Sequence, residues 1–221
     1  MNWRVIQGDC LAVMRDFAPG SFDAVITDIP YGEVNRPSQG LRVFDKGIAD
    51  VANFDVATVA GEFVRLTRGS VYVFCCTEQV SVLRGAFVAA GLSSRLCIWQ
   101  KPSPSPTNGQ HLWLSDIECC VFGKKPGAVF NYLCRSAVWR FGSDGNEHHT
   151  TQKPVNLMRY LVNASTEPGQ RVLDSFCGSG TTGVACAELG RDFVGIELDP
   201  AYCDIARKRI DAATRQGRME L

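Results

Sequence analysis

The stretch from Gln170 to Leu198 constrains the fold more than any other part of this chain. Gln170 to Asp174 is a short run ending on a carboxylate, Gly178-Ser179-Gly180 follows as a turn, and Thr181 to Leu189 has room for a helix. A second apolar run, Asp192 to Leu198, then carries Glu197 near its end. Strand, glycine turn, helix and strand in that order form a parallel unit whose backbone N–H groups and carboxylates gather at the mouth of the sheet, where such sheets bind ligands. Gly178 and Gly180 allow the backbone to approach a ligand without a Cβ in the way. Glu197 stands at the spacing of a carboxylate that takes both hydroxyls of a ribose. The turn has no Gly-Lys-Ser/Thr for phosphates and magnesium, so it is not a P-loop. Its glycines at 178, 180 and 183 keep the G-x-G-x-x-G spacing, so a dinucleotide site stays open on this motif alone.

The rest of the chain continues the α/β pattern. Trp3 to Gln7 and Asp23 to Thr27 read as buried strands with Asp9 and Asp28 just beyond their ends, and Leu11 to Phe17 between them is two helical turns long. Val51 to Leu66 spaces Phe54, Val59, Phe63 and Leu66 along one helix face, Ser70 to Cys76 is strongly β-prone, and Glu78 to Ala90 is a helix closed by Gly91. Ser94 to Trp99 and Ile117 to Phe122 are further strands. Pro154 begins a helix to Asn163, and Pro200 begins the last one, to Gln216. Between Lys124 and Gly145 no period is visible.

At 221 residues and 45% hydrophobic, the chain suits one α/β domain with a full core. Twenty-three basic side chains against 23 acidic ones leave no overall field to attract a polyanion, so a nucleic-acid surface has to be a local patch. The ten cysteines show no C-x-x-C spacing, and the pairs Cys75-Cys76 and Cys119-Cys120 point to opposite faces of strands, so reduced thiols without a metal are expected. No apolar run has the length of a membrane span. A soluble, cytoplasmic protein is the expectation, with no membrane partner.

One more fragment carries chemistry: Asp28-Ile29-Pro30-Tyr31, at the end of the second strand. With a carboxylate and an aromatic ring close together, it looks built to hold an exocyclic amine under a ring. The amine nitrogen's lone pair is delocalised, and two hydrogen-bond acceptors pull the nitrogen toward tetrahedral geometry while the ring stacks on the base.

Taken with Asp174 to Thr182, Gly195-Ile196-Glu197-Leu198-Asp199 and His149-Thr150-Thr151-Gln152-Lys153-Pro154, this fragment resembles the amino-group DNA methyltransferases. The order, tetrapeptide first, is similar to the permuted β-type members of the N6-adenine/N4-cytosine family. The resemblance covers nearly the whole chain, most weakly over 41–50 and 101–145. It implies a Rossmann-like, doubly wound α/β fold with a mostly parallel seven-stranded sheet of the class I methyltransferase type, as a single domain over 1–221. S-adenosylmethionine is the implied cofactor and double-stranded DNA the implied partner, in a bacterial or phage-infected cell within a restriction-modification setting.

The same resemblance implies roles. Asp28 and the Ile29 carbonyl would accept from the amine, and Tyr31 would stack on a base flipped from the duplex. Gly178 and Gly180 would line the cofactor's methionine part, Asp174 and Thr181 would belong to the cofactor-binding set, Glu197 would take the ribose, and Phe176 and Asp9 would flank the cofactor near its methionine and adenine ends. Thr151, Lys153 and Pro154 would hold the methionine carboxylate region. Ile29 departs from the family's Asp-Pro-Pro-Tyr: the carbonyl is kept, but one proline's fixed φ is lost, although Pro30 still restrains Ile29 to extended conformations.

Asp in the first position resembles adenine-N6 enzymes, whereas cytosine-N4 enzymes more often carry Ser, so adenine is favoured and cytosine N4 is the alternative. Target recognition is expected from loops within 32–50, with Asn35, Arg36, Gln39, Arg42 and Lys46, and within 101–145, with Lys124, Lys125, Arg135, Trp139 and Arg140. Both stretches are short, which points either to a short recognition sequence or to help from a second subunit, as a homodimer would give. A non-catalytic DNA-binding module would explain Ile29 as decay. A nicotinamide oxidoreductase would leave the tetrapeptide without a purpose.

Overall fold

The structure is a computed structural model that describes residues 1–31, 54–103, 111–144 and 152–219. In chain order its elements are β1 (Trp3–Gln7), α1 (Cys10–Arg15), β2 (Phe22–Asp28), α2 (Val56–Leu66), β3 (Thr67–Cys75), a 3-10 turn (Thr77–Gln79), α3 (Val80–Ala89), β4 (Ser93–Gln100), β5 (Ile117–Lys124), β6 (Val138–Arg140), α4 (Val155–Ser165), β7 (Arg171–Asp174), α5 (Thr181–Glu188), β8 (Asp192–Glu197) and α6 (Pro200–Met219). The strands form one sheet in the order β1-β8-β7-β2-β3-β5-β4-β6. All neighbours are parallel except β5, which runs against both β3 and β4.

The sheet has eight strands rather than the expected seven. The additional one, β6, pairs only Val138, Trp139 and Arg140 with β4, too short a stretch to show a period in sequence. Helix α2 also starts later than its apolar spacing predicts. Asp55 caps it, accepting from Thr58 N at 2.9 Å, so Phe54 lies ahead of the helix instead of on its face.

Both faces of the sheet are covered, and side-chain alternation assigns each strand residue to one of two cores. Ala24 and Ile26 of β2, Tyr72 and Phe74 of β3, and Cys120 of β5 pack on one side with Leu157, Leu161, Ala185 and Ile210 of α4, α5 and α6. Val25, Val71, Val73 and Val121 pack on the other with Met14, Phe63, Leu83 and Phe87 of α1, α2 and α3. Cys119 and Cys120 divide between the two cores, as neighbours on a strand must. Among the described residues no helix is long and apolar enough to cross a membrane, and all ten cysteines are free thiols.

Candidate active site

The carboxyl ends of β1, β2, β7 and β8 open onto one cleft. It is lined by Asp9 after β1, by Asp28 and Pro30 at the end of β2, and by Asp174, Gly178 and Glu197 from β7, its turn and β8. The two sequence fragments therefore meet in a single cavity. A direct bond joins them: Thr27 Oγ1 donates to Asp174 Oδ1 at 2.8 Å.

Asp174 is buried and fully engaged. It also accepts from Thr182 Oγ1 at 2.6 Å and from Phe176 N at 3.3 Å. Burial lifts its carboxyl from the ordinary 3.8 to about 6, against the pull of these donors. Glu197 Oε2 accepts from Gly178 N at 2.8 Å and Oε1 from Asp199 N at 2.9 Å. Each oxygen retains lone-pair capacity, so the carboxylate braces the glycine turn and still offers acceptors to a diol in the cleft. A cation-bearing nucleoside fits this donor and acceptor set.

The predicted cofactor residues separate into those that line the cleft and those that shape it. Phe176 lines it and pairs with Phe54 at 5.3 Å between ring centroids, making an aromatic wall from two distant segments. Asp9 lines it while also capping α1, accepting from Ala12 N at 2.9 Å. Thr181 lines it as well and, with Ser179, is held by Arg209 of α6, whose guanidinium donates to Ser179 O at 2.7 Å. Gly180 is different. It lies outside the lining, has φ +82°, and a Cβ there would stand 2.8 Å from Ala206 Cβ. Its glycine is required by the left-handed turn and by the approach of α6. Pro154 likewise lies outside the lining, buried at the cap of α4. Thr151 falls outside the described residues.

Lys153 departs furthest from its expected place. It lines the cleft, but its ammonium pairs with Asp28 Oδ2 and with Glu118 Oε2 at 3.0 Å, at the end that carries the tetrapeptide. Glu118 Oε1 is in turn held by Lys101 Nζ at 2.6 Å. Burial alone would lower the lysine, yet the two carboxylates hold it above its ordinary value, so it is a cation. Burial raises Asp28 above the usual carboxylate range against the attraction of Lys153. Glu118 is also pushed up by burial, but Lys153 and Lys101 outweigh this and hold it below its usual range. Tyr31 OH donates to Asp28 Oδ1 at 2.9 Å, so ring and carboxylate are held together.

Ile29 is fixed by its surroundings. Its side chain is buried in the core against α1 and α2, and its N–H donates to Phe74 O at 3.1 Å. The next carbonyl, Pro30 O, accepts from Gln79 Nε2 at 3.0 Å. Packing and strand pairing replace the ring of the missing proline.

The second set of expected recognition residues is scattered. Lys124 and Lys125 sit at the far end of β5, where Lys125 N donates to Gly69 O at the start of β3. Trp139 is buried, with its ring 6.3 Å from that of Tyr72, and Arg135 lies over Tyr132. Arg140 stands at the carboxyl edge, donating to Gln100 Oε1 at 2.9 Å. The first set, Asn35 to Lys46, lies outside the described residues. Sequence reasoning missed Glu118, Lys101, Gln79, Phe54 and Arg209. For Glu118 a signal existed, a carboxylate two residues from Cys120 on a face that packs against helices.

Residues 100–208 match the family model described as DNA methylase. The chain is 26% identical to the Type II methyltransferase M2.DpnII of Streptococcus pneumoniae, covering 94% of this chain and 89% of that protein. It is also 26% identical to the Type II methyltransferase M2.LlaDCHI of Lactococcus lactis subsp. cremoris, over 98% and 92% of the two chains. Among solved structures, that of the M1.HpyAVI-SAM complex superposes with a TM-score of 0.74 at 26% identity, over 94% of this chain and 99% of that one. The cytosine-N4-specific PvuII DNA methyltransferase shares the fold at 17% identity, with a TM-score of 0.71 over 99% of this chain and 92% of that one.

Proposed function

We propose, from the match of residues 100–208 to the DNA methylase model and the similarity to Type II methyltransferases, that the chain moves a methyl group from S-adenosylmethionine to the exocyclic amine of a base flipped out of double-stranded DNA, adenine N6 in preference to cytosine N4. The observation that carries this reading is the shared cleft, in which Asp28 and Pro30 face the same space as Glu197 and Gly178. Its second support is the order of the two motifs, with Asp28 before Asp174 in the chain, which agrees with the permuted, β-type arrangement.

Glu197, Asp174, Phe176 and the 178–181 turn hold the cofactor, which when bound supplies an electrophilic methyl on a sulfonium. Asp28 accepts one amine hydrogen and the Ile29 carbonyl the other. As the nitrogen gains positive charge both hydrogen bonds strengthen, so they stabilise the transition state more than the bound base. A carboxylate has about four lone-pair sites, and Lys153 and Tyr31 take two of those on Asp28, leaving room for the amine. The methylated cation is acidic enough to lose its proton to water, so Asp28 orients and stabilises without acting as the base. Tyr31 supplies the face on which the base stacks.

Asp28 at the head of the tetrapeptide favours adenine. Loops within 32–50 and 101–145, with Arg140 at the carboxyl edge, read the target, and a homodimer would supply the surface that these short stretches lack. A non-catalytic module is disfavoured because Asp174, Phe176, Gly178, Thr181 and Glu197 all line the same cleft as Asp28, so the cofactor groups survive together. Sequencing DNA from cells that express the chain, with detection of modified bases, tests the proposal. Methylated adenine at a short recurring sequence is expected, whereas unmodified DNA from folded, cofactor-binding protein would favour the non-catalytic reading.

A further inference from the structure

Glu118 has no part in the chemistry described above, yet it stands half-buried beside it. Its position follows from strand register. Asp28 lies two residues beyond Ile26 of β2, Phe74 is the partner of Asp28 on β3, and Cys120 is the partner of Phe74 on β5. Ile26, Phe74 and Cys120 all face the core under α4, α5 and α6. Glu118, two residues before Cys120, therefore projects from the same face at the same sheet edge as Asp28. Lys153 enters from the segment before α4 and places its ammonium between them, with the ring of Phe74 5.3 Å below.

We propose that Glu118 is a positioning residue for methyl transfer: bridged to Lys101 at 2.6 Å and to Lys153 at 3.0 Å, it fixes the cation that fixes the Asp28 carboxylate. Two carboxylates and two ammonium groups balance in charge, so no member is left uncompensated where water is scarce. Without Glu118 the Lys153 ammonium would belong to Asp28 alone. It would neutralise the charge that the amine nitrogen needs and leave the carboxylate free to turn with its partner. Lys153 acts through Asp28 in the same way, from the opposite sign.

The proposal rests on the methyltransferase reading for its kinetic outcome but has a readout that does not. The groups facing Asp28 are Lys153, Glu118 and Tyr31, with Asp174, Cys75 and Cys120 farther off. Carboxyl carbon-13 NMR of the full chain, with Asp28→Asn to assign the signal, follows the titration of Asp28 directly. Glu118→Gln removes a repelling charge and should move that titration to lower pH. Lys153→Met removes an attracting one and should move it to higher pH.

In the methylation assay Glu118→Gln should lower kcat about tenfold to a hundredfold, the cost of misplacing a reacting group by about an ångström. The dissociation constant for S-adenosylmethionine should stay within about twofold of wild type, since Glu118 is outside the cofactor lining. Lys101→Met, which leaves the Asp28–Lys153 pair in place, should give a smaller loss and serves if Glu118→Gln folds poorly. An Asp28 titration that does not move in Glu118→Gln overturns the proposal whether or not the wild type methylates DNA. Inactive wild type with the two opposed shifts would sink the methyltransferase reading and leave the positioning network standing.

Discussion

Thr27 Oγ1 donates to Asp174 Oδ1 at 2.8 Å, joining the strand that carries the tetrapeptide to the strand that opens the cofactor turn. Across 147 positions of sequence, this bond ties the end of β2 to the end of β7 where both meet the cleft.

Asp174 should make cofactor affinity depend on pH. Its folded value, about 6, lies above the ordinary 3.8, so in the free protein its contribution to stability is complete below about 3.8 and is lost as pH rises through about 6. Binding of a cationic cofactor has the opposite sense, because only the ionised carboxylate attracts it. Calorimetric titration with S-adenosylmethionine should show affinity falling about tenfold from pH 7.5 to pH 5. Thr27→Val removes a bond that favours the charged form and should move the midpoint upward; an unchanged midpoint would separate Asp174 from cofactor binding.

Glu197 bears on affinity through both of its oxygens. Hydrogen bonds to a charged group contribute about 1.5–3 kcal/mol each, so losing two in Glu197→Ala should weaken S-adenosylmethionine binding roughly a hundredfold to ten-thousandfold. The same measurement on Glu197→Gln should show a partial loss, because the amide still offers an acceptor to the Gly178 N–H.

Asp28→Ala should reduce methyl transfer by about a thousandfold or more, the scale of losing a preorganised transition-state contact. Cofactor affinity should change little. Transfer of a labelled methyl group to DNA reads the first and equilibrium binding the second; retained turnover would remove Asp28 from the mechanism.

Ile29→Ala should cost about 2–5 kcal/mol, since it opens a cavity in the core that receives this side chain. At about 2–4 °C per kcal/mol, Tm should fall by roughly 4–20 °C. Ile29→Pro restores the family's commoner residue but deletes the N–H that Phe74 O accepts, at a cost of about 1 kcal/mol. Because the carbonyl is already held, kcat should stay within about threefold of wild type. A large gain in kcat would mean that packing alone leaves the carbonyl loose.

The sequence by itself determined the α/β winding, the positions of Asp28, Asp174 and Glu197 at strand ends, and the glycine turn, because periodicity and turn chemistry act over a few neighbouring residues. It also marked Ile29 as the one departure in the tetrapeptide. Tertiary structure alone decided what holds that residue, since Phe74 and the core of α1 and α2 reach it across the sheet. The same limit applies to Lys153: its motif neighbours suggested the cofactor, but its ammonium meets Asp28, 125 positions away, and Glu118 on an antiparallel strand inserted between β3 and β4. The pairing partner of a strand and the register of that pairing set which charges meet, and neither is encoded by a local pattern.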